Sequence, residues 1–362
     1  MIVILSRLKK VWVPFLLAVA TIFLMIPMMG IGETNASQGP SIAVKPNYTK
    51  NQIKQDGVIF VQTKPGQTQQ ISLNIVNLSK SSQSFSIEPT TAFTSGGGAI
   101  ALNPTKNLPV DKTLKYKFKD LVQDGKKQTI NLGPNKSTNV NFNVKAPDKT
   151  YNGVILGGLY IKPQLPPEAA KLKGVSVNNK FALAMPVYLR DNNNQPIKPK
   201  LTAQTIKPGK VANQPVIYTK LANEKPTTIN QMQIKDKIYR KSDPSKILSK
   251  SNQNGLSMAP NSNFNFTNQF GKNALLPGNY HLSLKASDNN GNKWTIEKDF
   301  HITITQAAIN NANKNWWWII LLIILLILIL ILCYVLYRQH RKQKNLIAQQ
   351  QAELDKRNDQ PK

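Results

Sequence analysis

Proton-transfer chemistry needs a side chain that exchanges a proton near neutral pH, and histidine is the residue best suited to it. Ahead of position 315 the chain has two, His281 and His301, each embedded in a strand-like pattern. The nucleophilic arrangements are missing: there is no Gly-x-Ser-x-Gly, and Ser287-Asp288-Asn289 has neither a Ser-x-x-Lys beyond the first few residues nor a Lys-Thr-Gly to accompany it. That triplet reads as a turn. Metal and phosphate signatures are equally lacking: no His-Glu-x-x-His, no phosphate-cradling glycine loop, and in Asp288 to Asn292 neither the spacing nor the bidentate Glu of a calcium loop. The sequence therefore calls for no catalytic residue, cofactor or metal, and a hydrolase or transferase reading has no constellation behind it. Binding is the chemistry left.

Two stretches carry residues suited to binding. Lys115, Lys117 and Lys119 alternate with Leu114, Tyr116 and Phe118, which suits a strand with one basic face; Leu114, Phe118, Leu121 and Val122 also fit helical spacing, and both readings stay open. The lysines serve either to protect a strand edge or to contact a ligand. Within Tyr151-Asn-Gly-Val-Ile-Leu-Gly-Gly-Leu-Tyr160, the pair Gly157 and Gly158 weakens a strand unless the strand is bulged or something approaches its backbone. That something is a large neighbouring side chain, or else a partner chain or glycan. Tyr151 and Tyr280 each precede or open a core strand, the position of the corner tyrosine in immunoglobulin-like sandwiches.

The elements that must position these residues are strands. Gln69 to Asn77 alternates Ile71, Leu73 and Ile75 against Ser72 and Asn74, with a Lys64-Pro-Gly-Gln67 turn before it. Ser84 to Glu88 and Asn139 to Lys145 repeat the pattern, and Phe181 to Arg190 is a further apolar strand. Six more follow: Lys200 to Lys207, Pro215 to Asn223, Thr228 to Tyr239, Asn263 to Phe270, Gly278 to Ala286 and Lys293 to Thr305, with a hairpin turn at Asp288 to Asn292. The expected fold is all-β, two tandem immunoglobulin-like antiparallel sandwiches at 41–162 and 175–305 that look like two copies of one architecture. The first either ends there or extends to about 190, and a polar spacer follows at 306–315.

Both ends of the chain speak to a membrane. Residues 1–36 read as a signal peptide, with basic Arg7, Lys9 and Lys10, an apolar run and a small-residue cleavage site. Residues 316–337 are an unbroken apolar and aromatic run, long enough at ~1.5 Å per residue for the ~30 Å bilayer core. Trp316, Trp317 and Trp318 at one end and Tyr334 and Tyr337 at the other suit the two interfaces, and the basic tail 338–362 opening at Arg338 is expected to be cytoplasmic. The expected location is a single-pass protein of the cell membrane with residues 37 to 315 outside. That region has no cysteine, since the sole one is Cys333, so its stability must come from packing, as suits a Gram-positive surface. It also carries 37 Lys and Arg against 14 Asp and Glu, a charge that draws it toward anionic wall polymers rather than nucleic acid or simply keeps a β-rich surface soluble.

The Lys64-Pro-Gly-Gln67 turn before ISLNIVN, Gly153-Val-Ile-Leu-Gly-Gly-Leu159, Phe181-Ala-Leu-Ala-Met-Pro-Val-Tyr-Leu189, Leu276-Pro-Gly-Asn-Tyr280 and the final apolar helix together resemble the WxL-interacting proteins of Gram-positive bacteria. The resemblance covers nearly the whole chain, and its most specific piece is the run Gly153 to Leu159. It implies a peptidoglycan-binding domain followed by a domain for host surface components, and secreted Trp-x-Leu proteins as partners. The chain has no Trp-x-Leu of its own and no Leu-Pro-x-Thr-Gly anchoring signal.

Overall fold

The computed structural model describes residues 41–123, 127–164, 181–192, 195–270 and 274–311, with helical residues 321–331, 333–335, 337–338 and 341. The signal peptide 1–36, Trp316, Trp317, Trp318 and nearly all of the tail lie outside the described residues.

Period-two alternation builds the first lobe. Strand β3 (Thr68–Asn77) turns Ile71, Leu73 and Ile75 inward, and β8 (Ser137–Lys145) does the same with Val140, Phe142 and Val144. With β1 (Ile42–Asn47) they form a three-stranded antiparallel sheet in the order β1-β3-β8. Facing it is a five-stranded sheet, ordered β2-β10-β9-β4-β7, made of β2 (Ile59–Thr63), β4 (Gln83–Thr91), β7 (Gln128–Leu132), β9 (Val154–Pro163) and β10 (Leu183–Asp191). Phe85, Ile87, Leu159, Ile161, Val187 and Leu189 close the core from that side.

One feature departs from the expected pattern. β10 runs antiparallel to β9 and parallel to β2, so the sandwich is not wholly antiparallel. No hairpin joins β2 to β10, more than a hundred residues apart, and nothing local dictates their relative direction. Strand β10 is thus an inner strand of the first lobe, and the second begins at β11.

The second lobe stacks β11 (Leu201–Val211), β12 (Gln214–Asn223) and β15 (Ser262–Gln269) on a four-stranded sheet ordered β14-β13-β16-β17. The latter holds β13 (Ile229–Arg240), β14 (Asp243–Met258), β16 (Gly278–Ser287) and β17 (Lys293–Ile302). Both lobes set three strands against a larger sheet, but the strand orders differ. The sixteen-residue β14 went unforeseen. Where 306–315 was expected to be a polar spacer, Ile304–Asn311 form a helix, α2, that buries Ala307 in the second core, and the Asn311 side chain exchanges hydrogen bonds with the Leu275 backbone at 2.7 and 2.8 Å. A small apolar residue and a terminal amide suffice to dock it.

The lobes meet along a hydrogen-bonded seam supplied by the excursion between β4 and β7. Its hairpin of β5 (Phe93–Thr94) and β6 (Ile100–Ala101) lies against β14 and β15, with Thr94 Oγ1 2.5 Å from Ser262 Oγ and Ser257 N–H donating to Gly98 O at 2.7 Å. Further along, Asp111 N–H donates to Asn261 O at 2.8 Å and Asn263 Nδ2 to Val110 O at 2.7 Å. Val154 N–H reaches Pro226 O at 2.7 Å, and Gly153 (φ 81°) allows this because a Cβ there would lie 2.1 Å from that same oxygen.

Candidate functional site

Behind this seam lies a cleft of about 390 Å³. Its first-lobe wall is the extended run through Lys115 and Tyr116 with Tyr151, Asn152 and Leu156; the second lobe contributes Glu224, Lys225, Pro226 and Asn261. Lys115 and Tyr151 are therefore brought together. Lys117 and Lys119 are exposed beyond the cleft rim, and Lys119 N–H bonds Thr91 Oγ1 at 3.3 Å. The segment is not a strand: Leu114 to Lys117 alternate half-buried and exposed side chains outside any strand, and one helical turn follows, α1 (Phe118–Leu121).

Phe118 explains one glycine. Its side chain, wholly buried, lies over Gly157, where a Cβ would sit 2.2 Å from its ring. The close approach that the glycine pair permits is made at Gly157 from within the chain. Gly158 faces the opposite side of β9, toward Leu102 and the seam, with 3.0 Å from a Cβ to Leu102 Cδ1. β9 is buried on both faces for this reason.

Electrostatics in the cleft favour fixed charge over proton exchange. Burial pushes the Tyr151 hydroxyl up to about 12, with the Thr63 hydroxyl facing it in a geometry too poor for a full hydrogen bond. The Tyr151 ring packs edge-on to Tyr116, centroids 6.1 Å apart. Glu224 is held below the usual carboxylate range by Lys200, 2.8 Å away, and by the Thr202 hydroxyl at 2.8 Å. Burial opposes ionisation of Asp111 beside the cleft, but the Thr113 N–H and hydroxyl, the Gln204 amide and the Lys112 charge outweigh it and keep its carboxyl low. None of Tyr151, Glu224 and Asp111 is poised near neutrality. The cleft can hold a polar ligand between two aromatic rings and two lysines.

The histidines lie elsewhere, on the outer surface of the second lobe. His281 Nδ1 is 2.5 Å from Asp299 Oδ1 and Nε2 2.8 Å from Glu297 Oε2, so hydrogen bonds to Asp299 and then Glu297 raise its pKa and occupy both ring nitrogens. Ser283 Oγ donates to Glu297 Oε1 at 2.9 Å and not to the ring, so the serine is not paired with the histidine. His301 Nδ1 sits 2.8 Å from Asn279 Oδ1. Asp288 caps its own hairpin through the N–H groups of Asn290 and Asn292 at 3.0 and 2.9 Å. Among the described residues no three His, Cys, Asp or Glu are placed to hold a metal ion. Tyr280, buried, donates from its hydroxyl to Leu276 O at 2.5 Å, tying the incoming loop to β16. Tyr334, Tyr337 and Arg338 are helical, the two tyrosines exposed.

Two β lobes joined by a polar seam define an all-β protein. The chain belongs to the WxL-interacting protein family: residues 43–163 match the model of its peptidoglycan binding domain, and residues 172–313 that of its host binding domain. The second match begins ahead of β10, although that strand hydrogen-bonds within the first lobe. No curated protein matches the chain. Among solved structures it is similar to a chain of the chaperone–tip adhesin complex of CFA/I fimbriae, at 11% identity over 73% of this chain and 98% of that one, TM-score 0.29. The E. coli chaperone DraB (14%, 73% and 98%, TM-score 0.26) and the Pseudomonas aeruginosa CupB2 chaperone (12%, 67% and 95%, TM-score 0.27) are further examples.

Proposed function

We propose that this chain is a membrane-anchored scaffold of the cell surface. Its first lobe grips wall peptidoglycan, its second meets host surface components, and it works with secreted proteins bearing Trp-x-Leu motifs. The observation that carries the reading is the tandem match of both binding domains across the two lobes. Both matched families are binding domains, in keeping with the two tied-up nitrogens of His281.

Among the described residues no helix is long and apolar enough to cross a membrane. The described part of 316–337 is nonetheless helical, and its leucines and isoleucines from Leu321 to Ile331 are exposed, roughly half of each side chain open. In water that surface is costly, and burial in lipid is the environment that favours it. This supports the single-pass anchor, with the signal peptide 1–36 removed and the basic tail inside.

The test is sedimentation of the detergent-solubilised full chain with purified sacculi, alongside protease treatment of intact cells. Retention on sacculi and cleavage of the lobes from outside are expected. A chain that stays in the supernatant, or lobes that protease cannot reach, refutes the proposal. Release of soluble fragments from sacculi would instead support a wall hydrolase.

A further inference from the structure

The outward face of the β1-β3-β8 sheet differs from the other large solvent-facing sheet of the protein. Those three strands, IAVKPN, TQQISLNIVN and STNVNFNVK, contain no Asp or Glu, and most of their outward positions are amides and hydroxyls, the others being Ala43, Val76, Lys45 and Lys145. The outer face of the second lobe instead displays Lys235, Lys237, Lys285, Glu297 and Asp299, all exposed. Of the chain's 47 Lys and Arg only Lys45 and Lys145 stand among the outward positions of these three strands.

Cross-strand register makes that surface continuous. Asn47 pairs with Ser72, Ser72 with Asn141, Asn74 with Asn139, and Gln70 with Asn143. Asn139 Oδ1 accepts from Asn74 Nδ2 at 2.9 Å and from Asn47 Nδ2 at 3.2 Å, and Asn47 Nδ2 also reaches Ser72 Oγ at 2.9 Å. These bonds fix the side chains in place. They leave the Asn139 amide hydrogens and the Asn47 and Asn74 carbonyls free to meet a ligand.

We infer that this face is a glycan platform that takes the N-acetylated sugar backbone of the wall. The inference rests on the peptidoglycan-binding reading above and names the surface responsible. An acetamido sugar is uncharged and offers amide and hydroxyl groups, each needing one donor or acceptor, which a pre-set amide lattice supplies at low ordering cost. Rows ~4.8 Å apart across strands and ~6.8 Å apart along them present such partners repeatedly, as a polymer requires. Lys45 is exposed on the edge strand, opposite Asn74, while Lys145 is held by Asp148 at 2.9 Å.

The experiment uses the full chain in detergent micelles, sacculi stripped of teichoic acid, and a soluble N-acetylglucosamine oligomer. Salt of about 0.5 M screens the attraction between lysines and anionic polymers but leaves neutral amide contacts in place. The wild type is expected to stay bound. Asn141→Glu, at an exposed position whose side chain makes no hydrogen bond among the described residues, should weaken binding about tenfold. Asn74→Ala should act in the same direction, and Lys235→Ala with Lys285→Ala should change nothing. Unchanged melting temperature shows that Asn141→Glu is folded. Equal binding by wild type and Asn141→Glu overturns the platform alone, as does retention that salt abolishes. Failure of the wild type to bind sacculi at any salt overturns the peptidoglycan reading with it.

Discussion

Asp236 is a carboxyl in the core of the second lobe, and replacing it with asparagine should stabilise the protein at neutral pH. It sits on β13 between inward-facing Ile234 and Ile238 and is only 4% exposed. The Asn268 amide bonds its Oδ2, but Asp236 Oδ1 and Asn268 Oδ1 are buried without a partner. Burial outweighs the help from Asn268 and Ser251 and lifts its pKa from 3.8 to about 6. The folded state thus binds this proton more tightly than the unfolded chain. The stabilisation is full below about pH 3.8 and disappears as pH rises through about 6. Roughly two pKa units at ~1.4 kcal/mol each give ~3 kcal/mol between pH 4 and pH 7. Asp236→Asn removes the charge, and its amide can donate to Asn268 Oδ1. The assay is urea unfolding of residues 41–311 from pH 4 to 7.5, followed by Trp294, the sole tryptophan in that region and one that packs on the same core. The gap in favour of the variant should open by ~3 kcal/mol as pH rises, or ~6–12 °C in melting temperature. A gap that does not vary with pH, or a variant weaker at pH 7, refutes the reasoning.

Four further outcomes follow from contacts described above. Gly157→Val must displace the Phe118 ring from the first core and should cost ~3 kcal/mol or more, read by denaturant unfolding. Gly153→Ala combines a positive φ with a clash against Pro226 O and should loosen the seam, seen as faster hydrogen exchange at Val154 and Ser257. Tyr280→Phe removes one hydrogen bond to Leu276 O and should cost ~1 kcal/mol, a change that a melting curve resolves. His281 should titrate above 6.5 by NMR; its contribution to stability is present below the unfolded value and fades as pH rises past the folded one, so His281→Ala should flatten the alkaline side of the profile.

What the sequence made legible was whatever repeats with period two around apolar residues. β3, β8, β12 and β16 announce themselves because Ile, Leu, Val and Phe alternate with polar partners. β14 does not: most of its sixteen positions are exposed, and its register against β13 shifts repeatedly, so no alternation survives to be read. The run around Lys115 was ambiguous because it changes from extended to helical at Phe118. The cleft itself was half visible. Tyr151 and Lys115 stood out by type, whereas Glu224, Lys225 and Asn261 look like ordinary loop residues until tertiary contact sets them opposite. The amide face escaped for a related reason: Ser72 and Asn74 read singly as solvent-facing, and only strand pairing shows them as part of a lattice.

The seam has a mechanical consequence. On the proposed arrangement, anchored at its C-terminal side and holding the wall through its first lobe, the chain would bear tension across the junction between lobes whenever the cell is sheared. Here the covalent path between lobes is one strand of backbone near residue 195, but the excursion between β4 and β7 runs alongside it and clasps β14 and β15 through several bonds loaded in parallel. Pulling the lobes apart must break that set together rather than one after another, so the two halves would resist drag as a unit until the clasp gives way at once.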